Sequence, residues 1–519
     1  MISFELLVLV VTLSVAVLVA LALNLKWVRV AQRVHYLPGE VSRIERLWFD
    51  RRPIGFAWML AAIVLAIVSV WGASFEGFWW LSALAVGAPL LLAPTPWGLS
   101  FKGTTSRLAW TSRAQRFYVS LALLQLILGG LSVWVLGPAG VLIPLLLAAT
   151  LSDAVLSVLW QVEKQLTKKF VVDAKRKLKR VKPLVVAITG SYGKTSTKGY
   201  VAHVVGNTHS TVASPASFNN LMGLSRTINE HLTVGTAVFV AEMGMNQEGR
   251  IRELSTLFPP DIAAITVIGE AHMERLGSKE AIFRAKAEIT ENARTVVLPV
   301  DQPELVSLIE KCRRENKTVI TVSGAGKPAD VSVDPDLGLV RYGPDAEPHP
   351  IDVPPFGHGV NLAVALGIAW ALEVPEASVR EALSGLPTAA HRAEVARRDE
   401  GVWIVDDTYN SNPVGAAHAV DQAAMLATER GGPLIVVTPG MVELGPVQFQ
   451  RNAELAKRVI EKSGQLMVVG RTNKKALLQG SGQQASTFQK RSDAVEAALQ
   501  AAGDRGVILY ENDLPDHYP

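Results

Sequence analysis

Leu184-Val185-Val186-Ala187-Ile188-Thr189-Gly190-Ser191-Tyr192-Gly193-Lys194-Thr195-Ser196 is the stretch that decides how this chain folds. Its first six residues follow Pro183 as an unbroken apolar run, the pattern of a parallel strand buried on both faces. The remaining seven form a glycine-rich turn carrying Lys-Thr, and a helical stretch follows from Thr197. Strand, glycine turn, Lys-Thr and helix make a cradle for phosphates. Backbone N–H groups and the helix N-terminus face the anion, Lys194 neutralises phosphate oxygens, and the Thr195 hydroxyl can hold Mg²⁺. The spacing is shorter than the common GxxxxGK[ST] loop, so the strand before it and the helix after it carry the argument. Gly190, Gly193, Lys194, Thr195 and Ser196 are the candidate nucleotide-binding residues.

Working outward toward the carboxyl terminus, Glu242 ends the apolar strand Ala237–Ala241, where an α/β sheet presents ligand-binding side chains. Ile262–Ile268 is a further strand, His272 follows it closely, and Lys286 lies on the next helix. A carboxylate, an imidazole and a hydroxyl converging near phosphates suit Mg²⁺, a hard ion that prefers oxygen ligands. Taken singly, each has a plainer reading: Glu242 as a helix-cap or salt-bridge residue, His272 as a satisfied core histidine, Lys286 as a simple phosphate-binding cation.

Toward the amino terminus the composition changes. Up to about Trp160 apolar runs dominate: Leu6–Leu23, Ile54–Ser74, Phe78–Ala93, Phe117–Leu136 and Val141–Trp160 are five candidate membrane helices. A soluble protein with five such runs in one stretch is a poor alternative. Lys26, Arg29, Arg33, Arg43, Arg46, Arg51 and Arg52 lie between the first two, and Lys102, Arg107, Arg113 and Arg116 between the third and fourth. The other two connections carry Glu76 or no charge. Positive-inside bias therefore expects the amino terminus outside and both basic loops, with everything after the fifth span, in the cytoplasm. Lys164 to Lys182 adds nine basic residues as a stop-transfer flank. Asp153, inside the fifth run, is either a functional intramembrane carboxylate or one satisfied by a neighbouring helix.

The formal net charge of +4 over 519 residues gives no case for nucleic acid. Cys312 is the one cysteine, which excludes an intramolecular disulfide and cysteine-based zinc or iron–sulfur sites.

From Leu184 to its end the chain resembles the Mur ligase family, and within it the MurF branch that adds D-Ala-D-Ala to a peptidoglycan precursor. The loop has the family's short TGxxGKT[ST] form. Asn219-Asn220-Leu221-Met222-Gly223 resembles NNxxG, and Glu242-Met243-Gly244-Met245-Asn246-Gln247-Glu248-Gly249 resembles ELGANHxG. Ala271–Ser278 resembles AHLEGFGS, Ala285–Ile289 resembles AKGEI, Asp406–Pro413 resembles DDSYNANP, and Met441–Gly445 resembles MxELG. The resemblance implies an ATP-dependent ligase that phosphorylates an acceptor carboxylate and lets an amine attack the acyl phosphate. It implies that Thr195 and Glu242 hold the ATP-bound Mg²⁺. Glu242, His272 and a carbamylated Lys286 would serve a second Mg²⁺. Asn219 and Asn220, Asn361 near the adenine, Arg392 on the nucleotide phosphates, and Asp407, Tyr409, Asn410 and Asn412 bordering nucleotide and acceptor complete the implied set. The residues alone also allow Asp406–Pro413 to be an ordinary strand-to-helix turn.

The resemblance has departures. The five apolar runs stand where the family carries a soluble UDP-sugar-gripping domain. GDM reads Pro439-Gly440-Met441, ANH reads Met245-Asn246-Gln247, and the basic KGSR motif is replaced by Tyr510-Glu511-Asn512-Asp513-Leu514-Pro515. The expected organisation is an α-helical transmembrane bundle over 1–160, a basic linker over 161–182, a central α/β ATPase domain over 183–385 with a β-rich excursion at Val319–Pro350, and a Rossmann-like domain over 386–519. The expected partners are the bilayer of a bacterial inner membrane, a small-molecule or lipid-linked peptide precursor, and other wall-synthesis proteins. A polyglutamate-type ligase acting on a membrane-associated polymer is the closest rival, an ATP-driven transporter a more distant one.

Overall fold

The computed structural model describes residues 4–73, 79–101, 108–215, 218–351, 359–386, 394–397, 401–408, 411–514 and 517–518. They fall into two compact units, Met1–Leu166 with Leu514–Pro519, and Thr167–Asp513.

The first unit is helical, with α1 (Phe4–Arg33), α2 (Glu40–Arg51), α3 (Ile54–Ala73), α4 (Leu84–Leu92), α5 (Ser112–Leu136), α6 (Leu142–Leu146) and the beginning of α7 (Ala148–Val181). Among the described residues three segments, Leu6–Arg33, Ile54–Gly72 and Ser112–Leu146, are long and apolar enough to cross a membrane. The expectation of five is corrected to three, and helix breakers explain the difference. Phe78–Ala93 divides into a 3-10 turn over Trp79–Ala83 and the nine-residue α4, which contains Pro89. At about 1.5 Å per residue, α4 falls well short of a ~30 Å hydrocarbon core. Val141–Trp160 starts in a 3-10 turn, passes through the five-residue α6 with Pro144, and joins α7 only at Ala148. Gly140 lies so close to α5 that a Cβ would sit 2.3 Å from the Ser132 carbonyl oxygen. Glu76, Lys102 and Arg107 lie outside the described residues.

Asp153 has a structural partner. Its carboxylate accepts from Val41 N (3.2 Å), Ser42 N (2.9 Å) and Ser42 Oγ (2.6 Å). It thereby caps the first turn of α2, whose preceding Gly39 offers no side-chain cap. Asn24 and Gln125, both buried, join α1 to α5 through a 2.8 Å amide–amide hydrogen bond.

The second unit contains two sheets. The first holds β1 (Leu184–Thr189), β2 (Thr211–Ala213), β3 (Val238–Glu242), β4 (Ile262–Ile265), β5 (Thr295–Pro299), β6 (Thr318–Ser323), β7 (Val331–Asp334), β8 (Leu339–Tyr342) and β9 (His349–Pro350). Their order is β2-β3-β1-β4-β5-β6-β7-β8-β9. Pairing is parallel as far as β7 and antiparallel from β7 to β9, so within Val319–Pro350 β6 continues the parallel sheet and β7 to β9 extend its edge as an antiparallel ribbon. The chain leaves β1 at the centre and returns on both sides of it, which opens a crevice at the carboxyl ends of β1, β3 and β4. One face of this sheet packs on α8 (Lys194–Gly206) and the helix Gly359–Ala371, through Tyr200, Val201, Val204, Leu362 and Leu366. The other packs on Leu221–His231, Arg250–Leu257, Lys279–Ala287 and Pro303–Arg314, with Cys312 buried among them. Val186, Ala187 and Ile188 are fully buried, as the unbroken apolar reading of β1 requires.

The second sheet holds β10 (Glu394–Arg397), β11 (Trp403–Asp407), β12 (Leu434–Thr438), β13 (Gln465–Val469), β14 (Ser486–Phe488) and β15 (Val507–Glu511), in the order β10-β11-β15-β12-β13-β14. Only the β10–β11 pair is antiparallel among these described strands. Helices Pro413–Arg430, Gln448–Glu461 and Arg491–Ala502 connect the parallel strands, as the Rossmann-like expectation requires.

Candidate active site

Gly190 and Gly193 bound the loop between β1 and α8, and packing explains Gly193. It adopts φ 78, and a Cβ there would lie 1.9 Å from Asn361 Oδ1. Asn361 is thus buried against the loop itself, at the start of the helix Gly359–Ala371. Ser191 is held by Val267 O (2.7 Å, from its N–H), and its hydroxyl exchanges hydrogen bonds with Gly269. Lys194 Nζ donates to Gly190 O at 2.8 Å, within its own loop. Thr195 and Ser196, half-buried, follow on the first turn of α8.

Glu242 is the hub of the site. As the last residue of β3 it lies beside Ile188 of β1 and is 1% exposed. Its carboxylate accepts from Thr195 Oγ1 (3.1 Å), Lys198 Nζ (3.0 Å) and Asn219 Nδ2 (3.1 Å). Burial alone would raise its pKa; Lys198 and Lys194, with the Asn219 hydrogen bond, outweigh burial and hold the carboxyl below its usual range. The paired asparagines divide their work. Asn219 orients Glu242, while Asn220 caps the helix Leu221–His231 by accepting from Gly223 N at 2.9 Å.

His272 follows β4 and Lys286 lies on the helix Lys279–Ala287, both on the other side of β1 from β3. Both feel the Lys194 charge, and His272 also feels Lys286. Desolvation keeps the His272 pKa below its ordinary value, the two lysines push the same way, and Glu443 opposes them. Lys286, 2% exposed, is held well below the usual lysine range by burial and then by Lys194. A buried ammonium next to another cation favours the neutral amine. The Lys194 charge thus acts on Glu242, His272 and Lys286 alike.

The second sheet contributes across a joint within the same unit. His272 Nδ1 lies 3.1 Å from Glu443 Oε2, and Arg451 Nε donates to Glu270 Oε2 at 2.8 Å. At the end of β11, Asp407 lies beside Glu511 of β15. Burial, then Asp407, pushes the Glu511 carboxyl well above the usual carboxylate range, while a hydrogen bond from the Ser411 hydroxyl pulls the other way. Asn412 caps the helix Pro413–Arg430 through Gly415 N (2.9 Å), a structural duty like that of Asn220. Arg392, Tyr409 and Asn410 lie outside the described residues. Sequence reasoning passed over Lys198, Glu443 and Glu511. Lys198 stands one helical turn after Lys194, a spacing that places both on one face of α8, and that signal was available.

Among the described residues no three His, Cys, Asp or Glu side chains gather to hold a metal. The Thr195 hydroxyl and Glu242 carboxylate nevertheless fit Mg²⁺, which usually takes one or two protein oxygens and completes its shell with substrate phosphates and water.

A family model described as Mur ligase middle domain matches residues 188–357, and one described as Mur ligase, glutamate ligase domain, matches residues 391–510. The UDP-N-acetylmuramoyl-tripeptide–D-alanyl-D-alanine ligase of Mycobacterium leprae is 32% identical over 263 residues, 47% of this chain and 50% of that protein. The protein of the same name from Bacillus subtilis is 29% identical over 353 residues, 65% of this chain and 75% of its own length. The chain thus spans only half of the first relative. The MurF ligase of Thermotoga maritima, solved in complex with ADP, aligns with TM-score 0.55 at 22% identity, over 67% of this chain and 80% of that one, a likeness of fold.

Proposed function

We propose that this chain, which belongs to the Mur ligase family, is a membrane-anchored ATP-dependent ligase joining an acceptor carboxylate to an incoming amine. The observation that carries the reading is the Thr195–Glu242 hydrogen bond at the carboxyl ends of β1 and β3, next in sequence to Lys194, whose charge also acts on His272 and Lys286. The N-terminus of α8 and Lys194 bind the nucleotide phosphates. Mg²⁺ held by Thr195 and Glu242 would supply charge neutralisation that lets an anionic carboxylate approach the γ-phosphate. The carboxylate oxygen attacks the γ-phosphorus, ADP leaves, and an acyl phosphate forms. The amine nitrogen then attacks the acyl carbon, phosphate departs, and the amine gives up a proton. Lys286, kept neutral by its surroundings, has the free amine needed to add CO₂, and the carbamate would give the acceptor side a second anionic ligand.

Peptidoglycan precursor synthesis is the setting, and the acceptor is presented at the membrane. Leu18, Ile67, Ile127 and Trp134 are each more than 60% exposed on the three long apolar segments, a surface suited to lipid. Three crossings, with the basic stretch Lys164–Lys182 held inside, put the amino terminus outside and the ATP site in the cytoplasm. Arg113 and Arg116, at the start of the third segment, then lie toward the outer side, against the charge bias of that stretch. Residues 183–385 and 386–519 act as the ATPase and Rossmann-like domains. Glu511, buried where the family carries a basic motif, supports recognition of the amine by a different residue set.

ATP-dependent phosphate release by the full chain in lipid vesicles tests this, with soluble UDP-linked and lipid-linked acceptors each paired with candidate amines. Lys194→Ala should lower release at least about 100-fold. Robust turnover of soluble acceptors alone would defeat presentation at the membrane.

A further inference from the structure

Glu443 lies in the loop after β12, in the second sheet's half of the unit, yet its contacts are with the first. Its Oε2 meets His272 Nδ1 at 3.1 Å, its Oε1 meets Arg275 Nη2 at 3.4 Å, and its backbone carbonyl accepts from Glu274 N at 3.2 Å. Two residues on, Gly445 approaches so closely that a Cβ would lie 3.0 Å from the Glu274 backbone. Both ends of the contact are strained. His272 adopts φ 66 and Glu443 φ 64, left-handed values that histidine tolerates better than glutamate does. At His272 this conformation also starts the turn Met273–Leu276, whose Arg275 and Leu276 N–H groups each donate to the His272 carbonyl at 3.0 Å.

The chemistry of the contact is directional. An ionised carboxylate only accepts hydrogen bonds, so with Glu443 ionised this contact selects the tautomer that carries the proton on His272 Nδ1. In a neutral imidazole that leaves Nε2 bare, with its lone pair free for a metal or an incoming proton. A carboxylate behind the ring also fixes ring orientation and strengthens Nε2 as a ligand.

We propose that Glu443 is a positioning residue that locks His272 in the Nδ1–H tautomer, so that the site on the first sheet is completed only when the second sheet's domain is docked. This ties assembly of the site to closure and rests on the reading of His272 as facing the metal–phosphate site. Glu443 is 30% exposed, so it can be removed without opening a core cavity. Glu443→Asn, which tolerates a left-handed backbone, guards against a folding defect in Glu443→Ala.

The test has two arms on the full chain. First, ¹⁵N-histidine NMR of metal-free, nucleotide-free protein, with His272 assigned by His272→Gln, should show the Nδ1–H form in the wild type and a tautomer mixture in both variants. Second, electron paramagnetic resonance titration of Mn²⁺ with the non-hydrolysable ATP analogue AMP-PCP should show affinity weakened about 10–100-fold in both. A contact that merely docks the domains would lower Tm while leaving the ¹⁵N signature and Mn²⁺ affinity unmoved, and that result overturns the proposal. Wild-type protein that binds no Mn²⁺ with AMP-PCP would count against the metal reading of His272; the tautomer arm would then decide the role of Glu443 alone.

Discussion

Lys198→Met is the most informative perturbation outside the phosphate loop. Methionine keeps the unbranched length of lysine and its helix propensity but removes the ammonium that lies 3.0 Å from Glu242 Oε2. Glu242, 1% exposed, would keep its hydrogen bonds from Thr195 and Asn219 and the field of Lys194, yet lose its nearest counter-charge. Removing one partner of a buried ion pair typically costs about 3–5 kcal/mol, and the surviving hydrogen bonds place this case near the lower end. At about 2.1 cal/mol/K per residue, unfolding Thr167–Asp513 carries an entropy of roughly 0.7 kcal/mol/K, so Tm should fall by about 4–5 °C. Calorimetry of the detergent-solubilised protein measures it. The pH dependence has a definite sign. Because Glu242 is held below its unfolded pKa, its contribution is present above about pH 4.3 and is lost as pH falls through the folded value. In Lys198→Met that acid-side loss should begin at higher pH. The double variant Lys198→Met/Glu242→Gln should regain most of the lost stability, since no buried charge is then left alone. A Tm unchanged within 1 °C, or a double variant no more stable than Lys198→Met, would refute the reasoning.

Gly193→Ala forces a Cβ into the left-handed region and onto Asn361 Oδ1. It should cost about 1–2 kcal/mol in backbone energy and weaken ATP binding at least tenfold, by isothermal titration. If Lys286 takes up CO₂, ¹³CO₂-equilibrated protein should show a carbamate ¹³C resonance that is absent in Lys286→Arg; no difference between the two would remove the second-ligand role. Asp153→Asn should lower stability by about 1 kcal/mol through the weakened cap on α2, with ATP-dependent phosphate release unchanged; loss of release with normal stability would restore a functional role for that carboxylate.

The phosphate loop was legible because its requirements are local. A buried strand, glycines that admit positive φ, a lysine and a hydroxyl must be adjacent in the chain to work, so Leu184–Ser196 displays all of them at once. The grouping of Glu242, His272 and Lys286 rested on the motifs that surround them. Five apolar runs read as five spans because hydropathy sums side chains and takes little account of Pro89, Pro144 and the Gly140–Ser132 approach, which set where helices end. Asn220 and Asn412 read as ligand-binding because their motifs do, while their side chains cap helices. The spacing of Lys198 from Lys194 marked a shared face of α8, but its partner Glu242, 44 residues away in sequence, has no local signature.

Sequence alone determined the class of chemistry, since phosphate binding is encoded within a few consecutive residues whose types and spacing are themselves the mechanism. It also determined that one third of the chain is apolar enough to seek lipid. Only the tertiary structure decided which charges stand next to which. Lys198 on Glu242, Glu443 behind His272, Glu511 against Asp407 and Asp153 on α2 are pairings between distant segments. Their energies depend on burial and on distances of about 3 Å, and neither quantity exists until the chain has folded.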